Sequence, residues 1–433
     1  MPGWTLHVRV AVFALICVIA AACTPGAATS RTERATEADP ITPVPTVEIE
    51  LINPAPAVVV QPTPIPEGPE PLIVVSLLGE TGVMADLDGP AVAGVVAEID
   101  ALNESGGLLG RPVELRRFDT NSRVSLTERL ASRLIDNPPD LLVVSCDTLF
   151  SLPALDVAAE AGILTISPCA DDPRYLTGAF GPRSYTLGAP AEQQGELAAS
   201  VAVEEYGLTS IVLRDVTSPE ALSFCDGFER AFRELGGSVV YRDEFSYDTL
   251  EPLEDRLIGQ STETAFITLC SHVPGELDAA PAIIIILRGL GFRAPILAGS
   301  TVDEPDWFEL VPTMGELTFI SWSSAFGNDP DERINGVSLR ARDNFEADET
   351  PGPGVSTILG AEAIEMWARA VRAADSAEVS AVANALGSFD QEAFSTGELS
   401  FLNGARMDLG RTYRVLQVLD GELSVIGLEE TPD

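Results

Sequence analysis

Cysteine is the residue whose placement could carry most chemistry in this chain. Cys146, Cys169, Cys225 and Cys270 are spread through the body of the sequence, and Cys17 and Cys23 stand near its start. None are paired at the close spacing of a zinc site. Histidine occurs twice, as His7 and His272. His272 follows Cys270 closely and reads either as a polar loop residue at a strand end or as a contact in a binding cleft. There is no HExxH, no Walker loop and no GxSxG, so metal-assisted, phosphoryl and serine-type chemistry each lack their motif. The stretch GNDPDERING (residues 327–336) is rich in side-chain oxygens but lacks calcium-loop spacing. It reads as a helix start with the anionic first turn that a helix dipole favours. Neither enzyme activity, a metal nor a cofactor is expected.

The first 71 residues set the compartment of those cysteines. Val10 to Ala22 is an unbroken run of thirteen apolar residues behind Arg9. A spanning helix needs about 20, so the run fits a secretory signal better than a permanent span. Ala20, Ala21 and Ala22 lead directly into Cys23. This resembles the bacterial lipoprotein signal, in which the cysteine thiol is acylated and becomes the first residue of the mature chain. Ala20 stands where that signal usually has Leu. The resemblance implies removal of residues 1–22, lipidation of Cys23 and anchoring to the outer face of the cytoplasmic membrane. The alternative is an ordinary signal with an incidental Cys, or a retained anchor; either way the rest of the chain is expected to be exported. Residues 24–71 hold 11 of the 32 prolines, too little apolar surface to offset chain entropy. Residues 23–71 therefore read as a disordered tether, spanning about 40 Å as a coil and up to about 150 Å fully extended.

The remaining 362 residues, 72–433, suggest two domains or lobes. The formal charge is −40, and every basic residue is Arg, without a single Lys. Such a surface repels nucleic acid and phosphate esters. Four internal cysteines are an even number in an exported chain, a composition that suits disulfides.

These residues need elements to hold them, and the pattern alternates strand and helix. LIVVSLL, PVELRRFD, DLLVVSC and ILTISP read as strands. Between them PAVAGVVAEIDALNES (with Pro90 at its start), SLTERLASRLID and LPALDVAAEAG read as helices. Continuous apolar strands separated by helices imply a parallel sheet in a doubly wound α/β lobe. After SYTLGAP the rhythm restarts. SIVLRDV, SVVYRDEF, TAFITLC and APILAG are strands, and PEALSFCDGFERAFRELG is a helix capped by Ser218. Residues 354–374 form a further helix, and the tail closes with strands joined at the Asp-Gly turn of LDGE.

Three stretches resemble the type I periplasmic binding proteins, particularly the branched-chain amino acid-binding branch of ABC transport. They are AEIDALNESGGLLGRPVELRRFDT, GILTISPCADDPRYLT and STGELSFLNGARMDLGRTYRVLQVLDGE. The resemblance implies two doubly wound lobes, 72–188 with 323–396 and 189–322 with 397–433. It places three crossings near residues 187–190, 321–324 and 396–401, with a cleft between lobes that closes by hinge motion. By the same resemblance the ligand-binding candidates are Thr148 after the third strand and Cys169, Ala170 and Asp171 after the fourth. In the second lobe they are Phe224 as an aromatic wall, His272, and Thr301 with Asp303 in the place of an acidic ammonium partner. Asp171 departs from the family, which uses a hydroxyl there. A carboxylate about 4 Å from a ligand carboxylate repels it by roughly 1–4 kcal/mol, so Asp171 favours a neutral or cationic ligand unless it turns to solvent. Thr148 also reads as a helix cap, Phe224 as core, and Asp171 or Asp172 as a turn cap.

The implied partners are a small solute such as an amino acid or amide, an ABC permease and, through the lipid, the membrane; a monomer is expected. A ligand-sensing surface lipoprotein on the same fold is the alternative. Strand order 2-1-3-4-5 makes strands three and four neighbours, and likewise strands one and three. Cys146 with Cys169 and Cys225 with Cys270 are then the expected bridges, one per lobe, against four reduced core thiols.

Overall fold

The computed structural model describes residues 69–246, 250–257, 265–271, 279–303, 315–346, 352–354, 356–419 and 421–430. All belong to one compact unit, Ile65–Asp433. No helix among the described residues is long and apolar enough to cross a membrane. Cys23, residues 24–68 of the tether and His272 lie outside the described residues.

The first lobe is a parallel sheet of five strands: β1 (Leu72–Leu78), β2 (Val113–Asp119), β3 (Leu141–Val144), β4 (Thr165–Ser167) and β5 (Ser184–Thr186). Their order is β2-β1-β3-β4-β5. β3 is apolar throughout, and β1 is so apart from the buried Ser76, because both faces are covered. Leu72, Val74 and Leu78 face α1 (Ala85–Glu104), while Val75 and Leu77 join the other face with α2 (Val124–Ser132) and α3 (Thr148–Ala161). β2 lies at the edge, and its burial alternates.

The second lobe repeats the plan. α4 (Ala191–Glu205), β6 (Thr209–Asp215), α5 (Pro219–Glu234), β7 (Ser238–Phe245), α6 (Leu250–Leu257), β8 (Phe266–Cys270), α7 (Ala279–Gly289), β9 (Ile296–Ala298) and β10 (Leu317–Ser321) follow in turn. The chain then supplies α8 (Glu332–Glu346), α9 (Thr357–Ala374) and α10 (Val379–Leu386), a small hairpin of β11 (Glu392–Phe394) and β12 (Gly397–Leu399), and the antiparallel pair β13 (Thr412–Leu419) and β14 (Glu422–Glu430). The second sheet runs β14-β13-β10-β9-β8-β6-β7, the first lobe's order with an antiparallel edge added.

Two local expectations are corrected. The first helix starts at Ala85, so Pro90 sits inside it. The extra turn is held by the Asp88 carboxylate, which accepts from the Gly79 N–H at 2.7 Å, and by Ser122 Oγ, which accepts from the Met84 N–H at 2.9 Å. The third helix starts at Thr148, but its cap is Asp147, whose carboxylate accepts from the Leu149 N–H at 2.6 Å.

Helix pairs cross at glycine in both lobes. A Cβ on Gly94 of α1 would lie 1.8 Å from the Thr357 carbonyl of α9, and one on Gly360 would lie 2.1 Å from the Ala91 carbonyl. Gly195 of α4 and Gly227 of α5 repeat this, each 2.0 Å from the opposing carbonyl of Phe224 or Glu192. Only glycine permits such approach, and it sets how α9 and α5 enter the cleft.

The chain passes from the first sheet to the second between Thr186 and Ala191 and leaves the second after Ser321. It stays on the first lobe longer than expected before its last crossing. The Arg406 N–H donates to the Tyr175 carbonyl, the Thr186 N–H donates to the Arg406 carbonyl, and Phe401 meets Tyr185 edge-on at 5.1 Å. Pairing with the second sheet begins at Thr412. Two buried ion pairs brace these connections. Arg414 binds Asp329 at 3.0 Å and donates to the Trp322 and Ser395 carbonyls. Arg411 faces Glu362 of α9 at 3.7 Å. Asp329, read from sequence as part of an anionic helix start, is thus an internal partner of Arg414. The capping there falls to Asp331, which accepts from the Arg333 N–H at 2.9 Å.

Candidate functional site

The carboxyl ends of parallel strands in both sheets face one cavity with about 600 Å³ of space free of atoms, part of it open to solvent. Position beyond strand ends is where open α/β sheets bind ligands. From the first lobe come Leu87, Cys146, Cys169 and Asp171; α9 adds Ser356 and Leu359. The second lobe contributes Gln194 of α4, Glu220 of α5, Ser300 and Thr301 after β9, and Trp322 after β10. A wider groove with about 2450 Å³ of atom-free space, much of it open solvent, leads to it. Asp147, Thr148, Asp172 and Arg174 line it on one side, and Glu192, Gln193, Ser218 and Arg230 on the other.

The first lobe's wall is knitted by Asp88. This fully buried carboxylate accepts from Gly79 N–H, from Ser145 Oγ at 2.8 Å and from the Cys146 N–H at 2.9 Å. Burial is the largest influence on it and pushes its pKa up to about 6. Ser167 Oγ donates to the Ser145 carbonyl at 2.9 Å and accepts from the Ala170 N–H at 3.1 Å. The Cys146–Cys169 disulfide, with a Cα separation of 4.7 Å, then ties the ends of β3 and β4 together at the cavity surface.

The second lobe's wall is built by close approach. Cys225 of α5 is bonded to Cys270 at the end of β8. Ser218 Oγ accepts from the Ala221 N–H at 3.1 Å, starting α5 so that Glu220 falls in its first turn. Gly299 packs closely here, since a Cβ would meet Gln194 Oε1 at 2.9 Å and the Phe224 ring at 3.3 Å. Gln194 Oε1 accepts from the Ser300 N–H at 3.3 Å, while its Nε2 is buried without a partner among the described residues. Trp322 stacks on Tyr413 at 4.5 Å, with the Arg411 guanidinium 5.6 Å from the indole ring.

Of the residues singled out in sequence, Cys169, Asp171 and Thr301 meet at this cavity. Thr301 Oγ1 donates to the Ser271 carbonyl at 2.7 Å. Thr148 lies on the outer groove, with its hydroxyl buried and unpartnered among the described residues. Phe224 lines a smaller recess behind the cavity, with Glu220, Gly299 and Thr301. Ala170 and Asp303 are fully buried away from it. The Asp303 carboxylate accepts from Ser321 Oγ at 2.6 Å, and burial raises its pKa to about 7. Asp172, not Asp171, caps the following turn by accepting from the Arg174 N–H at 2.8 Å. Sequence reading missed Glu220, Gln194 and Trp322. Glu220 carried a usable signal, an acid two residues after a capping serine at a strand-to-helix turn.

Comparison with known proteins agrees with this architecture. A family model described as periplasmic binding protein matches residues 74–422. The Leu/Ile/Val-binding protein BraC3 of Rhizobium johnstonii is 22% identical over 315 residues, 70% of this chain and 82% of that protein. The structure of the branched-chain amino acid transporter substrate-binding protein LivJ from Streptococcus pneumoniae, in complex with isoleucine, superposes with a TM-score of 0.65. It has 18% identity and covers 83% of this chain and 99% of that one. A solute-binding protein of an ABC transporter from R. palustris, in complex with benzoate, has a TM-score of 0.66 and 16% identity, covering 84% and 98%.

Proposed function

This chain belongs to the periplasmic binding protein family, and from that premise we propose that it is the extracytoplasmic solute-binding component of an ABC transporter. It captures one small polar solute between its lobes and presents it to a permease. The observation that carries this reading is the cavity itself, lined at strand ends by both lobes and floored by α9 and Trp322. The family is one of binding proteins, and the site is read as a receptor and not as a catalyst. Relatives named for leucine, isoleucine and valine, and a structural neighbour holding benzoate, support a solute of that size, such as a small amino acid or a related compound. The chain is exported and held at the membrane by a lipid on Cys23, with residues 24–71 as its tether.

Native mass spectrometry of the protein purified from its own cell envelope tests the reading. One small molecule should ride with each chain, and Ala191→Trp, which fills the cavity from the start of α4, should abolish the adduct. An adduct that survives this change would place binding elsewhere. Cys23→Ser should move the protein from the membrane fraction to the soluble one; membrane retention would refute the lipid anchor.

A further inference from the structure

The chemistry of the cavity wall narrows the solute further. Asp171 from one lobe and Glu220 from the other are the charged residues of the inner cavity, and no described basic side chain lines it. Both residues also interact within the protein, so neither is a bare anion, and the sign of the cavity is that of its lining as a whole. The groove outside has the same sign. Its lining carries Asp147, Asp171, Asp172, Glu192, Glu196 and Glu220 against Arg174 and Arg230, a formal balance of six negative to two positive. Those two arginines are engaged, Arg174 with Asp172 at 2.7 Å and Arg230 with Glu192 and Glu196. A cleft of one sign in a chain of formal charge −40 concentrates cations and repels anions.

Donors for a carboxylate are scarce on the first lobe's wall. The Gly79 and Cys146 N–H groups and Ser145 Oγ are consumed by Asp88, and the Ala170 N–H by Ser167. The Cys146–Cys169 disulfide presents sulfur at the strand ends. Besides the Thr148 hydroxyl on the outer groove, one donor of the inner cavity awaits a partner among the described residues. Gln194, only 5% exposed, has Nε2 in the cavity wall with no partner among the described residues, and a buried donor left so is costly unless a ligand or water accepts from it. Leu87, Leu359 and the Trp322 ring supply the apolar surface.

Resting on the carrier reading above, we propose that the solute is a small amine-bearing cation with an apolar body and a neutral hydrogen-bond acceptor, and without a carboxylate. Asp171 and Glu220 hold the ammonium from opposite lobes, which couples binding to closure. Gln194 reads the acceptor.

Calorimetric titration with matched pairs tests this: leucinamide against leucine, isoleucinamide against isoleucine, phenylalaninamide against phenylalanine, with benzoate as the anion. At about pH 6.5 an α-amino group of pKa about 8 is protonated. At least one amide should bind about ten-fold or more tightly than its acid, with benzoate silent. Asp171→Asn and Glu220→Gln should each weaken that amide about five-fold or more and shrink its advantage over the acid, and Gln194→Ala should weaken amide and acid alike. An acid or benzoate that binds as well as the best amide overturns the assignment. So do Asp171→Asn and Glu220→Gln variants that leave the preference intact, or a wholly silent panel. Binding of an acid or benzoate that Ala191→Trp removes would leave the carrier reading standing while sinking the charge assignment. Loss of the envelope adduct test would sink the carrier reading itself.

Discussion

Replacing Gly195 with alanine tests whether the α4–α5 crossing holds the second lobe's half of the site. The new Cβ would stand 2.0 Å from the Phe224 carbonyl oxygen and 2.8 Å from the Phe228 nitrogen. Both are backbone atoms, so no side chain can swing aside. Ordinary contact at about 3.5 Å requires the helices to part by about 1.5 Å. Overpacking of this kind costs about 1–3 kcal/mol, and contact with backbone puts it near the upper end. Alanine's better helix propensity returns about 1 kcal/mol, leaving a net loss of about 2 kcal/mol. The control is Gly336→Ala in α8, where the glycine is exposed and a Cβ meets nothing within 4 Å. It keeps the propensity gain of about 1 kcal/mol. For a folded body of about 360 residues at about 2.1 cal/mol/K each, 1 kcal/mol is about 1.3 °C. Differential scanning calorimetry should place Gly195→Ala about 3 °C below the native protein and Gly336→Ala about 1 °C above it. Because Gln194 precedes Gly195 and Glu220 rides on α5, the first variant should also lose solute affinity. A Gly195→Ala protein that melts at or above the native temperature and binds normally would refute the crossing's role.

Two further outcomes follow from the same geometry. The bridges Cys146–Cys169 and Cys225–Cys270 close loops of 23 and 45 residues, worth about 3 and about 4 kcal/mol in the chain-entropy model. Removing both cysteines of either pair should lower chemical-denaturation stability by that order, and only loss of Cys146–Cys169, which lines the cavity, should also weaken solute binding. Equal binding loss from both pairs would contradict the placement. Acidification should stabilise the fold. Burial raises Asp88 from 3.8 to about 6, Asp303 from 3.8 to about 7 and Glu98 from 4.5 to about 7. Above its unfolded pKa each of these groups holds more proton in the folded state than in the unfolded one, so stability falls as pH rises from about 4 through about 7. A melting temperature higher at pH 8 than at pH 5 would show that these carboxyls are not buried as described.

The sheets were legible because their strands are buried on both faces. LLVV is apolar without interruption and LIVVSLL is broken only by the buried Ser76, and that pattern together with the helical spacing between strands leaves little besides a doubly wound lobe. The cysteine bridges were legible for the same reason, since strand order alone makes β3 neighbour β4 and β6 neighbour β8. The cavity was less so. Thr301 and Asp171 were reached through family position, but Asp303, two residues beyond Thr301, points the chemistry inward to Ser321. Period and composition do not say which of two nearby acids turns to the core. Gln194 and Trp322 enter the site through helix crossing and chain return, which depend on Gly195 meeting Phe224 and on Tyr413 stacking beneath the indole. Such long-range contacts leave no local mark in sequence. The start of α1 was misplaced because Pro90 resembles a first-turn proline, whereas Asp88 anchors a turn ahead of it.

The central claim is that two lobes close on one small solute. It is tested most directly by small-angle X-ray scattering of the protein, stripped of solute and then saturated with the molecule that mass spectrometry finds in its cleft. A ligand held by Asp171 and Glu220 from opposite lobes draws them together, so the account predicts a smaller radius of gyration on saturation and no change in the Ala191→Trp variant. An unchanged radius in the native protein, with one solute verified per chain, would contradict it.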